Sequence, residues 1–179
     1  MADPDTQTPN HQTPNIFIFT YGTLKTDFPN YTLIHDLIRL NDATFVGTYI
    51  THQSYPLVIG PHGIPFLINL PNVAGAHHVK GEVYSVSTRG LRRLDELEGT
   101  STGHYERLPI QVQAEIGGEE MITAEAYYAH RSFGERMWEK RGKAGLSEYS
   151  ERHGNEYVKK EDRIGGSFID AIESFLSIS

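Results

Sequence analysis

The chain has 179 residues, 38% of them hydrophobic and none of them cysteine, with a formal net charge of -7. That size supports one globular core rather than two, and the missing thiols exclude disulfides, cysteine metal ligands and a cysteine nucleophile, which fits a cytoplasmic setting. The negative balance is the wrong sign for a surface that follows phosphates, and no apolar run of about 18 residues offers a membrane span, so neither nucleic acid nor membrane is an expected partner.

Residues 1–15 carry Gln7-Thr8-Pro9-Asn10 and then Gln12-Thr13-Pro14-Asn15, a polar repeat with little to bury, and read as a disordered tail before a single domain over 16–179. They lack the charged-then-apolar pattern of an export leader. Ile16 to Tyr21 forms the first strand signal and runs into Gly22; Tyr31 to Leu40 has helical spacing. Short strands follow over 44–51, 55–59 and 64–70, with glycine and proline between them, and 78–86 alternates as another strand. A helix is expected over 88–98. Residues 105–116 and 121–128 then make a hairpin across Gly117-Gly118. Segment 131–165 mixes basic and acidic residues with glycines and is expected to be a polar insertion with little core. Its Phe133, Trp138 and Tyr149 read either as a partner surface or as part of a solvated stretch. Ser167 and Asp170 open a C-terminal helix over 167–177 with an S-x-x-D capping pattern. The expected fold class is α+β, a mainly antiparallel small β-barrel with surrounding helices.

Candidate chemistry concentrates at a few positions. Glu98 closes the segment Thr88-Arg89-Gly90-Leu91-Arg92-Arg93-Leu94-Asp95-Glu96-Leu97-Glu98, where Thr88 is the expected N-cap and Gly99 a natural stop. At about 100° per residue, Glu98 falls between Leu91 and Leu94 in the stripe that Leu97 continues, Asp95 lies at its rim and Glu96 points away. Asp95 and Glu96 are therefore expected to be dispensable for chemistry. Burial and the negative end of the helix dipole would both raise the pKa of an inward Glu98, suiting it to take a proton near neutral pH. The wheel leaves a second reading open, in which Glu98 frays into solvent.

Tyr21-Gly22-Thr23-Leu24-Lys25 ends the first strand. A turn at Gly22 with φ > 0 would aim successive backbone N–H groups into one concavity suited to a small anion, and Thr23 adds a hydroxyl. The plainer alternative is a tight strand exit with Tyr21 in the core. Tyr105 and Tyr128 offer phenols that could wall and orient a polar ligand. His77 and His78 are adjacent and would face opposite sides of a strand, and no H-x-x-x-H occurs, so no metal site is expected. There is no G-x-S-x-G elbow and no glycine-rich phosphate loop.

Taken in order, Phe19-Thr20-Tyr21-Gly22-Thr23-Leu24-Lys25, Tyr55-Pro56-Leu57-Val58-Ile59, Ile64-Pro65, Gly81-Glu82-Val83-Tyr84, Leu94-Asp95-Glu96-Leu97-Glu98-Gly99 and Tyr105-Glu106-Arg107 resemble the γ-glutamylcyclotransferase-like family, in particular its γ-glutamylamine cyclotransferase branch and the related plant avirulence-induced proteins. The resemblance runs from about Ile16 to His130. It implies that Glu98 is the acid and base and that Tyr21, Gly22, Thr23 and Leu24 hold a glutamyl moiety. The implied reaction is intramolecular: the α-amine of a γ-glutamyl amide attacks the side-chain carbonyl, closing 5-oxoproline and releasing the amine without a cofactor. The expected partner is thus a small γ-glutamyl molecule, bound by a monomer. Two alternatives share the fold: a metabolite-binding module without turnover, and a defence-response interaction protein acting through Arg131 to Arg163.

Overall fold

In the computed structural model, which describes residues 14–178, the chain enters as strand β1 (Ile16–Thr20), whose Ile18, Phe19 and Thr20 are buried. Residues 1–13 of the expected tail lie outside the described residues; Asn15, at its end, donates from Nδ2 to the Ser85 hydroxyl at 3.2 Å. Helix α1 (Tyr31–Arg39) is followed by strands β2 (Ala43–Thr51), β3 (Leu57–Ile59), β4 (Pro65–Leu67) and β5 (Lys80–Val86). Helix α2 (Thr88–Glu98) leads into the hairpin of β6 (Tyr105–Ala114) and β7 (Met121–Ala129), and helices α3 (Gly134–Lys140), α4 (Glu151–Asn155) and α5 (Phe168–Ser177) complete the order.

Strands β1, β5, β2, β6 and β7 are hydrogen-bonded in that sequence, and β7 returns to β1, closing the barrel expected from the sequence. The four pairings along the chain of strands are antiparallel. The closure is parallel, with Ile18 opposite Glu125, so the barrel is mixed. Further along β7 the partner changes. Leu67 of β4 lies opposite Tyr128, again in parallel, and β3 extends the sheet from β4. Strands β1 and β4 thus share one edge of β7 in succession.

Period-two alternation gives the strands two buried faces. Phe19, Val83, Ile110, Val112, Ala126 and Tyr128 pack together as the barrel interior. Ile18, Tyr84, Val86, Tyr105 and Tyr127 face outward, beneath Ile34 and Leu37 of α1, Leu91 and Leu94 of α2, and Ile172 of α5. Each fully buried leucine stabilises the docking of its helix by about 1.5–3 kcal/mol.

Segment 131–165 contributes more than its composition suggests. Phe133, Met137 and Trp138, spaced to share one face of α3, are buried, and so is Tyr149. The Tyr149 hydroxyl is shared between the carbonyls of Gly63 and His153 at 3.0 and 3.2 Å. These aromatic side chains are core rather than a partner surface or a solvated stretch. The charged residues between them determine the average composition but not the packing. Helix α5 opens with the expected reciprocal cap, Asp170 N–H to Ser167 Oγ at 3.2 Å and Ser167 N–H to Asp170 Oδ2 at 2.9 Å.

Helix α2 is anchored at its start by Ser87, one residue before the expected cap at Thr88. The Ser87 hydroxyl accepts from Gly90 N–H at 3.1 Å and donates to Asp42 at 2.7 Å. Arg89 Nε donates to the other Asp42 oxygen at 2.8 Å. Burial opposes charge on Asp42, but these bonds outweigh it and hold its carboxyl below the usual range. The cap falls at Ser87 because only there is the backbone extended, with φ -70° and ψ 164°, leaving the hydroxyl free to reach back to the first turn. Replacing Ser87 by Ala should therefore cost about 0.5–2 kcal/mol in urea unfolding, whereas Thr88→Ala should cost markedly less. The reverse order would return the cap to Thr88.

Candidate active site

Helix α2 delivers Glu98 to its last turn and ends at Gly99, which is left-handed with φ 60° and ψ 42°. A side chain there would also run into the His104 ring. Leu91 and Leu94 are buried as the wheel requires, but Leu97 is 45% exposed and stands at the pocket edge instead of in the stripe. Glu98 lines a cavity of about 120 Å³, well above the roughly 10–15 Å³ that one water occupies on the same measure. The residue keeps partial exposure, through the cavity, while protein surrounds the carboxyl group itself. Among the described residues nothing donates a hydrogen bond to that carboxyl. Burial, and after it the neighbouring Asp95 carboxylate, pushes its pKa from 4.5 up to about 8.

Four tyrosines line the same cavity, and three of them, Tyr21, Tyr105 and Tyr127, donate their hydroxyl protons elsewhere. Tyr21 donates to the Tyr127 carbonyl at 2.6 Å and accepts from Leu67 N–H at 3.4 Å, bridging β7 and β4 just past the point where β1 leaves β7. Tyr105 donates to the Pro65 carbonyl at 3.1 Å, and Tyr127 to Asp95 Oδ1 at 2.7 Å. Burial foremost drives all three to higher pKa, so they stay neutral. They act as walls around Glu98 rather than donors to it.

The loop Tyr21, Gly22, Thr23, Leu24 lines the same cavity. Gly22 lies outside the left-handed region, contrary to the expectation of φ > 0. Its constraint is proximity: a Cβ there would sit 2.6 Å from Pro65 Cγ. Among the described residues the amides of Gly22, Thr23 and Leu24 donate no hydrogen bond, while Thr23 Oγ1 accepts from Asn30 Nδ2 at 2.9 Å. The loop is fixed behind these free amides. The Glu82 carboxylate accepts from Thr26 N–H, the Thr26 hydroxyl and the Tyr84 hydroxyl at 2.7–2.8 Å, and buried Lys25 donates from Nζ to the Tyr149 carbonyl at 2.7 Å.

The structure thus brings Glu98, Tyr21, Gly22, Thr23, Leu24 and Tyr105 to one cavity, and not Tyr128. Tyr128 points into the barrel, its ring centroid 5.7 Å from that of Tyr55 and its hydroxyl 3.3 Å from the Pro109 carbonyl. Tyr127 takes the position at the cavity. In the hairpin Arg107 lies opposite Tyr127 and Tyr105 opposite Ala129, so Tyr105 and Tyr127 share a face, and Tyr128, opposite Glu106, takes the other. Sequence reasoning also passed over Asp95. Rather than idling at the rim, its carboxylate accepts Arg107 Nε at 2.9 Å and Nη2 at 3.2 Å as well as the Tyr127 hydroxyl. Arg107 also pairs with Glu125. Tyr157, Lys160, Arg163 and Phe168 also line the cavity, and nothing in the sequence beyond their charge, their aromaticity and the C-terminal helical pattern pointed to them.

Comparison with known proteins places the chain in a family. The family model described as "Gamma-glutamyl cyclotransferase, AIG2-like" matches residues 18–151. A protein of Arabidopsis thaliana provisionally named a gamma-glutamylcyclotransferase is 45% identical over 185 residues, covering 97% of this chain and 96% of that one. Gamma-glutamylaminecyclotransferase B of Danio rerio is 34% identical over 146 residues, covering 81% and 74% of the two chains. The crystal structure of an aig2-like protein from Mus musculus matches with a TM-score of 0.68 at 32% identity, over 84% of this chain and 99% of that one. Tyr157, Lys160, Arg163 and Phe168 lie C-terminal to the family match.

A carboxyl with a raised native pKa makes its mark on stability. Unfolded, Glu98 ionises near 4.5; folded, near 8. Its effect on stability is therefore neutral below pH 4.5, becomes steadily more unfavourable as pH rises, and levels off above 8. Glu98→Gln should raise the melting temperature at pH 8–9, and the gain should vanish toward pH 4. A gain that is flat with pH would show an ordinary carboxyl.

Proposed function

We propose that this chain, which belongs to the gamma-glutamyl cyclotransferase, AIG2-like family, converts a γ-glutamyl amine or γ-glutamyl amino acid to 5-oxoproline and the free amine, with Glu98 carrying the protons. The observation that supports this reading above others is the enclosed Glu98 carboxyl, its pKa raised to about 8, opening onto a cavity that a loop of free amides also lines.

The reaction needs no protein nucleophile. Free amides at Gly22, Thr23 and Leu24, with the Thr23 hydroxyl, hold the glutamyl end. Holding it curled places the α-amine against its own side-chain carbonyl, an intramolecular arrangement that can lower the barrier by up to roughly 7–11 kcal/mol. The α-ammonium must first lose a proton, and a carboxylate whose pKa is about 8 is a far better match for it than one at 4.5. The α-amine nitrogen then bonds to the carbonyl carbon, and the leaving nitrogen takes that proton from Glu98 as its own bond to the carbon breaks. The ring nitrogen gives its second proton to the emptied carboxylate, which passes it to the freed amine. General acid–base help of this kind contributes about 10²- to 10⁴-fold. The phenol walls of Tyr21, Tyr105 and Tyr127 keep the site dry, which sustains the raised pKa.

Release of 5-oxoproline from a panel of γ-glutamyl compounds tests the reading directly. Glu98→Gln should cut kcat by at least about 10²-fold while 5-oxoproline still binds, and the wild-type rate should climb with pH as Glu98 ionises through about 8. Glu96→Gln is the control, because Glu96 is exposed. Asp95→Asn is not a silent control: it removes the charge that raises Glu98, so the pH–rate profile should move to lower pH. Unchanged turnover in Glu98→Gln, or no 5-oxoproline from any compound, would overturn the assignment.

A further inference from the structure

The lining of the cavity also carries two cations. Lys160 and Arg163, on the segment between α4 and α5, line it from beyond the family match. Arg163 is half-buried and well oriented: Nε donates to the Val158 carbonyl at 2.9 Å, Nη2 donates to the Tyr157 hydroxyl at 3.0 Å, and the guanidinium lies 5.4 Å from the Tyr157 ring centroid. Arg107 and Arg136 each have a carboxylate partner, whereas Arg163 and Lys160 have none among the described residues. Their charge reaches His104 and Tyr105, which line the same cavity. A hydrogen-bonded line through Tyr157 fixes Arg163 relative to the glutamyl loop: Asn30 Nδ2 donates both to Tyr157 Oη at 3.2 Å and to Thr23 Oγ1 at 2.9 Å.

This inference rests on the reading of the site given above. A γ-glutamyl amide has two ends. If the loop amides and Glu98 take the glutamyl end, the substituent on the departing nitrogen is left to the rest of the lining, where a held guanidinium and an exposed ammonium offer themselves to an anion. We propose that Arg163 and Lys160 bind a carboxylate on the leaving amine, so that the chain selects γ-glutamyl amino acids or peptides over γ-glutamyl alkylamines. A guanidinium held by Nε and Nη2 still offers Nη1, and a planar carboxylate is the group such a donor matches best. An alkylamine leaves both cations unpaired, and a leaving group that is itself cationic is repelled.

The test uses a matched pair, γ-glutamyl-alanine and γ-glutamyl-ethylamine, which differ only by the carboxylate on the leaving side. For the wild type, kcat/KM should favour the alanine compound by roughly ten- to a hundredfold, the span expected of a charge-assisted hydrogen bond. In the Lys160→Gln/Arg163→Gln double variant that ratio should collapse toward one. Lys160→Gln alone, at an exposed side chain with no hydrogen bond to disturb, should lower it part way without affecting the fold. A second arm measures affinity by calorimetry in the Glu98→Gln background, which is independent of turnover. There the alanine compound should bind tighter, and the advantage should disappear with the double substitution. Equal kcat/KM and equal affinity for the two compounds in the wild-type rim, or a preference that survives the double substitution, overturns the inference and leaves the cyclotransferase reading standing. Absence of 5-oxoproline from both compounds removes that reading, and the calorimetric arm then decides the rim by itself.

Discussion

A carboxyl enclosed by protein is unstable when ionised unless a donor satisfies it, and among the described residues Glu98 has none. Three of the phenols that line the cavity, Tyr21, Tyr105 and Tyr127, would be natural donors, yet each is held by another acceptor: a β7 carbonyl, the Pro65 carbonyl and the Asp95 carboxylate. Asp95 is itself fixed by Arg107, so the second charge facing Glu98 cannot swing out. An α-helix of 11 residues spans roughly 16 Å, and α2 is anchored at one end by Ser87 and Asp42 and stopped at the other by a left-handed glycine. Glu98 has no freedom to retreat into water. What remains open to it is the cavity.

The cavity exists because β7 changes partner. Were β1 to run alongside β7 to its end, no space would remain for a loop on that edge. Instead β1 pairs only as far as Ile18 opposite Glu125, β4 takes over at Leu67 opposite Tyr128, and Tyr21 spans the exchange with one hydroxyl. The loop that follows cannot drift, since Glu82 and the Lys25–Tyr149 contact grip it from behind. Pro65 presses so closely on Gly22 that no larger residue fits. Folding and function meet at this point, because the interactions that finish the barrel also leave three amides uncommitted beside a basic carboxylate.

Much of this was legible in the amino-acid order, and the reasons for the rest are physical. Glu98 could be placed inward because a helical period fixes direction once two leucines mark the buried face. The alternation that separates Tyr127 from Tyr128 gives no such guide: β7 is buried on both faces near its end, and parity relative to Tyr105 depends on a hairpin register that sequence does not fix. Gly22 was recognised as special for the wrong reason, since a close approach from a residue 43 positions away leaves no local trace. Asp95 looked peripheral on a wheel because its partners, Arg107 and Tyr127, come from the hairpin. In segment 131–165, charge dominated the composition while Phe133, Met137, Trp138 and Tyr149 set the packing. The cationic rim of Lys160 and Arg163 needed the path between α4 and α5, which only the folded chain shows.

The account rises or falls with the ionisation of one side chain. Carboxyl ¹³C chemical shifts of glutamate-labelled protein, followed from pH 4 to 10 and assigned by the resonance lost in Glu98→Gln, would read it directly. A midpoint near 8 is the outcome predicted by the enclosed geometry. A midpoint near 4.5, the value of an exposed glutamate, would mean that water reaches the carboxyl and that Glu98 is not the poised proton carrier described here.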